Sequence, residues 1–120
     1  MAQAHDFGRK AEQAAREYLQ NIGYQIIESN WRLYHLEVDI IARDGNFLVI
    51  VEVKARATPF YGHPSEFISR RKERNLIEAA DHYIQSNALS NEVRFDVITL
   101  LPENSGFRIE HFKDAFTAFS

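Results

Sequence analysis

The chain has no cysteine, so neither a disulfide nor a thiolate metal site is available to it. That absence fits a reducing compartment, and a cytoplasmic location is expected. No apolar run approaches the length of a membrane span. The opening segment, MAQAHDFGRKAEQAAREYL, mixes charges throughout and lacks the apolar centre of a signal peptide, so no membrane association is expected. An excess of positive charge is also missing. Seventeen acids against fourteen bases give a net charge of −3, which argues against a tight, non-specific nucleic-acid coat protein. It leaves room for an enzyme whose acids cluster at a metal site while its bases cluster elsewhere. There is no internal repeat, low-complexity segment or linker, and no glycine-rich phosphate loop that would mark a nucleotide pocket. What remains is a single domain over residues 1–120, long enough for one hydrophobic core without staples.

Periodicity supplies the elements. Asp6 to Asn21 reads as an amphipathic helix, with Ala11, Ala14, Ala15, Tyr18, Leu19 and Ile22 at helical spacing, Asp6 as N-cap and Gly23 as the stop. Tyr24 to Glu28 is a short strand, followed by an irregular aromatic and basic connection from Ser29 to His35. Glu37 to Arg43 and Asn46 to Arg56 form a hairpin around Asp44-Gly45, and the second arm, apolar on both faces, belongs in the middle of a sheet. Thr58 to Pro64 is a Pro/Gly loop. A second helix begins near Ser65 or Ser69 and ends at Ser86, with Leu76, Ile77, Ala80, Tyr83 and Ile84 as its apolar stripe. Val93 to Leu101 and Phe107 to Phe112 are further strands, and Asp114 to Phe119 a terminal helical turn. The order αβββαββ predicts a mixed α/β fold with one central sheet flanked by helices.

The segment Leu36 to Arg56, LEVDIIARDGNFLVIVEVKAR, carries the chemistry. Charged side chains within strands otherwise suited to burial are costly unless compensated. With Asp44-Gly45 as a two-residue loop, Asp39 falls opposite Ile50 and Glu37 opposite Glu52. Glu37, Asp39, Glu52 and Lys54 then share one face, and Asp39 lies diagonally from Glu52 at about 7–8 Å. Asp39 and Glu52 are the candidate ligands of a divalent ion such as Mg2+ or Mn2+, which favours oxygen donors and uses few protein carboxylates. The Val53 carbonyl is a further candidate, and Glu12 could add a third carboxylate from the first helix. Lys54 is placed to orient or help deprotonate a water and to stabilise phosphate charge. The competing reading is a solvated strand face with Glu52–Lys54 or Glu52–Arg56 ion pairs. Four such residues on one face favour the site.

The chain resembles the PD-(D/E)xK, or restriction-endonuclease-like, nucleases, whose D…ExK core is matched by Asp39 and Glu52-Val53-Lys54. More closely it is similar to the small bacterial YraN-type family, itself similar to archaeal Holliday junction resolvases. The matching pieces are Gly8…Ala11-Glu12 with Tyr18-Leu19, Gly23-Tyr24…Asn30-Trp31-Arg32, Glu37-Val38-Asp39…Ile41-Ala42-Arg43-Asp44-Gly45, Val51 to Arg56, and Arg94-Phe95-Asp96-Val97. The resemblance implies an αβββαβ nuclease core, metal ligation by Glu12, Asp39 and Glu52, a catalytic role for Asp39, Glu52 and Lys54, and DNA as partner. Leu36 stands where the family usually has glycine, and Val38 where the motif's name has proline.

Other features bear on nucleic-acid binding. Arg70, Arg71, Lys72 and Arg74 open the second helix against its dipole and could bind a phosphate backbone, although Glu66, Glu73 and Glu78 are near enough to balance a solvated face. Arg32, with Trp31, Tyr34 and His35, could grip a backbone or stack on splayed bases, or pack as a lid. Tyr61 and His63 could approach the site from the Pro/Gly loop, Glu37 could brace the ligands, and Asp96 reads as structural. The expected function is a metal-dependent endonuclease acting on DNA, including branched structures. For symmetric junction cutting, a homodimer would fit. The alternatives are a non-catalytic module binding nucleic acid or protein on the same scaffold, and a hydrolase of a smaller phosphate compound.

Overall fold

Between Gln25 and Ala55 apolar, β-branched runs alternate with turn residues, and they pair in sequence order. A computed structural model describes residues 2–59 and 62–118. Helix α1 (Ala2–Asn21) is followed by β1 (Gln25–Leu33), β2 (Leu36–Asp44) and β3 (Phe47–Ala55). After a 3-10 turn (Pro64–Glu66) come helix α2 (Arg70–Ser86), β4 (Glu92–Glu103) and β5 (Gly106–Phe116). The five strands form one sheet in the order β1-β2-β3-β4-β5. All neighbours are antiparallel except β3 and β4, which run parallel and are connected through α2. This is the mixed α/β architecture the sequence predicts. No described helix is long and apolar enough to cross a membrane.

The sheet is covered on both faces. Ala11, Ala15 and Leu19 of α1 pack on Ile40, Ala42, Val49, Val51, Ile98 and Leu100. Leu76, Ala79, Ala80 and Tyr83 of α2 pack on Leu36, Val38, Ile41, Leu48, Ile50 and Val97. β3 supplies buried residues to both cores, which is why its sequence is apolar without alternation.

Helix ends follow their signals in two of three cases. Gly23 takes φ 98°, and the amides of Gly23 and Tyr24 bond back to Gln20 and Leu19, the paired hydrogen bonds of a Schellman stop. Ser69 caps α2 by accepting from the Lys72 amide at 3.1 Å. Asp6 is not a cap, because α1 begins at Ala2; its carboxylate instead takes the Arg9 guanidinium at 2.9 Å. Two further expectations change. The connection from Ser29 continues β1 through Leu33, with Trp31 held edge-on by Tyr83 at 6.0 Å. Asp114 to Phe116 extends β5 instead of forming a helical turn; Phe119 lies outside the described residues.

The central hairpin differs by one position. Asp44 pairs with Phe47, so the loop is Gly45-Asn46. Glycine comes first and takes φ 60°, as two-residue hairpin loops favour. The shift changes which residues are opposed but keeps their parity, and continuing the register sets Asp39 across from Glu52.

Candidate functional site

The β2–β3 ladder runs from Asp44↔Phe47 to Ile40↔Val51 and goes no further. At that point the alternation of β2 slips. Ile40 and Ala42 face α1, whereas Val38 and Leu36 face α2. Asp39 sits at the slip, and its carboxylate accepts the Val53 amide at 2.8 Å. A side chain thereby satisfies the backbone donor that the fork would otherwise orphan. Glu52, one residue before Val53, is 5% exposed and faces the α2 side, alternating with Val51 and Val53.

Glu52 is poorly compensated there. Its Oε1 has no hydrogen-bond partner among the described residues. Lys72 Nζ, from the first turn of α2, stands 3.7 Å away, an ion-pair distance too long for a hydrogen bond. Burial and then the neighbouring Asp39 charge push the Glu52 carboxyl up to about 8, and Lys72 and Lys54 offset this only in part. Lys54 follows two residues along β3, half-buried and on the same face. Two carboxylates, one with a buried oxygen that no hydrogen bond satisfies, and two lysines form a donor set suited to a hard divalent cation with an anion beside it.

Of the residues singled out in the sequence, the fold brings together Asp39, Glu52, Lys54 and Lys72. Glu12 sits on α1, which packs on the other face of the sheet, and its carboxylate is 3.9 Å from Arg16. No three His, Cys, Asp or Glu side chains gather as a metal-holding group among the described residues. Glu37 also departs from expectation. The slip at Asp39 turns it away from the face of Glu52, and it pairs across the strands with Arg32 at 3.4 Å. Arg70, Arg71 and Arg74 are exposed on α2, as is His63 in its loop, while Tyr61 lies outside the described residues.

A second polar cluster, on the α1 side, is one the sequence reading did not assemble. Asp96, 1% exposed, accepts hydrogen bonds from Tyr24 Oη at 3.0 Å, Arg94 Nε at 2.9 Å and the Asp114 amide at 3.1 Å, with His111 Nε2 at 2.7 Å. Arg94 also donates to Tyr24 Oη and, at 2.9 Å, to Asp44; Tyr18 Oη is 3.1 Å from His111 Nδ1. Burial alone would raise the Asp96 carboxyl, but hydrogen bonds from His111, Arg94 and the Asp114 amide outweigh it and hold it at about 2. The network ties α1, β4, β5 and the β2–β3 turn together. Its one legible signal is Arg94-Phe95-Asp96, whose alternation puts both charges on one face.

A family model described as "Uncharacterised protein family UPF0102" matches residues 11–100, from α1 through most of β4. UPF0102 proteins of Christiangramia forsetii and Flavobacterium psychrophilum are 43% and 44% identical over 119 residues, covering 99% of this chain and 100% of theirs. That of Parabacteroides distasonis is 41% identical over 118 residues, 98% of each chain. On matches of this extent, the chain belongs to the uncharacterised protein family UPF0102, the YraN-type family its motifs resemble.

Proposed function

We propose that the chain is a divalent-metal-dependent endonuclease that hydrolyses phosphodiester bonds in DNA, with Mg2+ or Mn2+ as its cofactor. The observation that carries this reading is the buried Oε1 of Glu52, which no hydrogen bond satisfies, beside Asp39. A carboxylate taken out of water beside a second one is costly without a counter-charge, and 3.7 Å to Lys72 is incomplete compensation. Asp39 and Glu52 would hold the ion. When bound, such an ion lowers the pKa of a water and neutralises phosphate charge. Lys54 orients that water and stabilises charge on the phosphate. The first turn of α2, adjacent to Glu52 through Lys72, adds the positive end of a helix dipole. Arg70, Arg71 and Arg74 would bind the flanking backbone. Glu12 lies 3.9 Å from Arg16 on α1, so two carboxylates are the proposed protein ligands, which is enough for magnesium with waters and phosphate oxygens.

The test is a cleavage assay on four-way junction, forked, single-stranded and linear DNA with Mg2+, Mn2+ or chelator. Cutting is expected with metal, and its loss is expected in chelator and in the Asp39→Ala and Glu52→Ala variants. Wild-type rates in both variants would refute the site. A non-catalytic binding module is the second reading, favoured by Lys72, which supplies part of the counter-charge without any metal. Salt-sensitive DNA binding with no product would select it.

A further inference from the structure

Three hairpins of the sheet close with two-residue loops: Tyr34-His35, Gly45-Asn46 and Asn104-Ser105. In each, the first loop residue alone takes a positive φ, at 56°, 60° and 55°. Glycine and asparagine adopt that conformation readily, whereas a bulky residue there is an outlier. Tyr34 therefore occupies a position that the local backbone would give to glycine. Its side chain gains nothing from packing in return. Tyr34 is 88% exposed, and its phenol has no hydrogen-bond or ring partner among the described residues.

The tip that carries it is held firmly. Trp31, three residues earlier, is wedged against Tyr83 of α2. Arg32 and Glu37 clasp the two strands at 3.4 Å, and His35 is 3.6 Å from Glu78 of α2. An exposed aromatic thus stands on a hairpin tip that contacts α2, between two largely exposed cationic or protonatable side chains, with Arg32 73% and His35 67% exposed. Aromatic rings beside basic groups are what unpaired bases stack on. β2 leads from this tip straight to Asp39. Five residues at about 3.4 Å each place the two backbones no more than about 17 Å apart, the span of about five base steps.

We propose that Tyr34 is a base-stacking wedge that directs the Asp39–Glu52 site to DNA whose base stack is interrupted at a fork or junction. The inference rests on the nuclease reading above and names its substrate class. An inserted ring needs a base face already free of its stacking neighbour, so continuous duplex is the poorer ligand. Cuts should then fall within about five nucleotides of the branch point.

The experiment is fluorescence anisotropy with three labelled DNAs of equal length (linear duplex, forked duplex and four-way junction), in chelator so that nothing is cut. Wild type is expected to bind the forked and four-way DNAs tighter than duplex by roughly 5- to 150-fold, the range one stacked base supplies. Tyr34→Ala should bring that ratio close to one, and Tyr34→Trp should restore it. Tyr34→Gly should lose the preference while its Tm rises by a few degrees, because the left-handed position is relieved. Equal wild-type affinity for all three DNAs, or a preference that survives Tyr34→Ala, would overturn the wedge. In that case, metal-dependent cutting of linear duplex that vanishes in Glu52→Ala would leave the nuclease reading standing. Binding to none of the three overturns the wedge as well, and together with an absence of cutting it removes both readings.

Discussion

Replacing Glu52 by glutamine keeps the shape of a protonated carboxyl and removes the charge. In the folded chain the carboxyl titrates near 8 against an ordinary value of 4.5. Between those values the folded state holds a proton that the unfolded state has lost, so stability falls as pH rises. At pH 7 the loss amounts to about 2.5 pH units at about 1.4 kcal/mol each, or about 3–4 kcal/mol, and it levels off near 5 kcal/mol above pH 8. Below pH 4.5 both states are protonated and nothing is lost. Glu52→Gln escapes this penalty, and its amide can donate to Asp39. Thermal unfolding of metal-free protein should therefore show the variant about 10 °C above wild type near pH 7. The gap should close as pH falls towards 4.5. A difference in Tm that stays the same from pH 4.5 to pH 8.5 would refute the idea that Glu52 is a desolvated, under-compensated carboxyl.

Other consequences follow from named contacts. Asp96→Asn leaves Arg94 and His111 short of their buried acceptor, and urea unfolding should show a loss of about 3–5 kcal/mol. Because the Asp96 carboxyl is held at about 2, the stability it contributes is present above its ordinary range and lost as pH falls towards 2; the Asn variant should lack that acid-dependent step. Neutralising Arg70, Arg71 and Arg74 together should flatten the dependence of log Kobs on log salt by about 0.9 for each phosphate contact removed from duplex DNA. Lys54→Met should lower kcat by at least about ten-fold with little change in DNA affinity, measured by single-turnover cleavage beside anisotropy.

The fold was legible where patterning was strong. The Gly23 stop, the Ser69 cap, the doubly apolar β3 and the alternation around it all follow from local chemistry, and parity alone was enough to bring Asp39 and Glu52 together. The exact register was not legible, because Asp44-Gly45 and Gly45-Asn46 are both good loops and the choice depends on backbone geometry at Gly45. Nor could alternation locate the slip in β2, where a carboxylate replaces a backbone acceptor for Val53. Glu37 was misplaced for that reason. Arg70, Arg71, Lys72 and Arg74 looked like one patch in sequence. A helix turns about 100° per residue, which sends Lys72 towards Glu52 and leaves the others in solvent. The Asp96 cluster draws on residues from α1, β4, β5 and the β2–β3 turn, so only the Arg94–Asp96 pair left a trace. Tyr34 could be noted as aromatic, but its positive φ and exposure belong to the folded hairpin.

The most direct test of a cation site at Asp39 and Glu52 is calorimetric titration of Mn2+ into metal-free protein at pH 7, in two buffers of different ionisation enthalpy. The expected result is one saturable site whose binding releases close to one proton, because Glu52 must lose its proton to serve as a ligand. Glu52→Gln should show neither the site nor the proton. Saturable binding with no proton release, or binding unchanged in Glu52→Gln, would contradict the assignment.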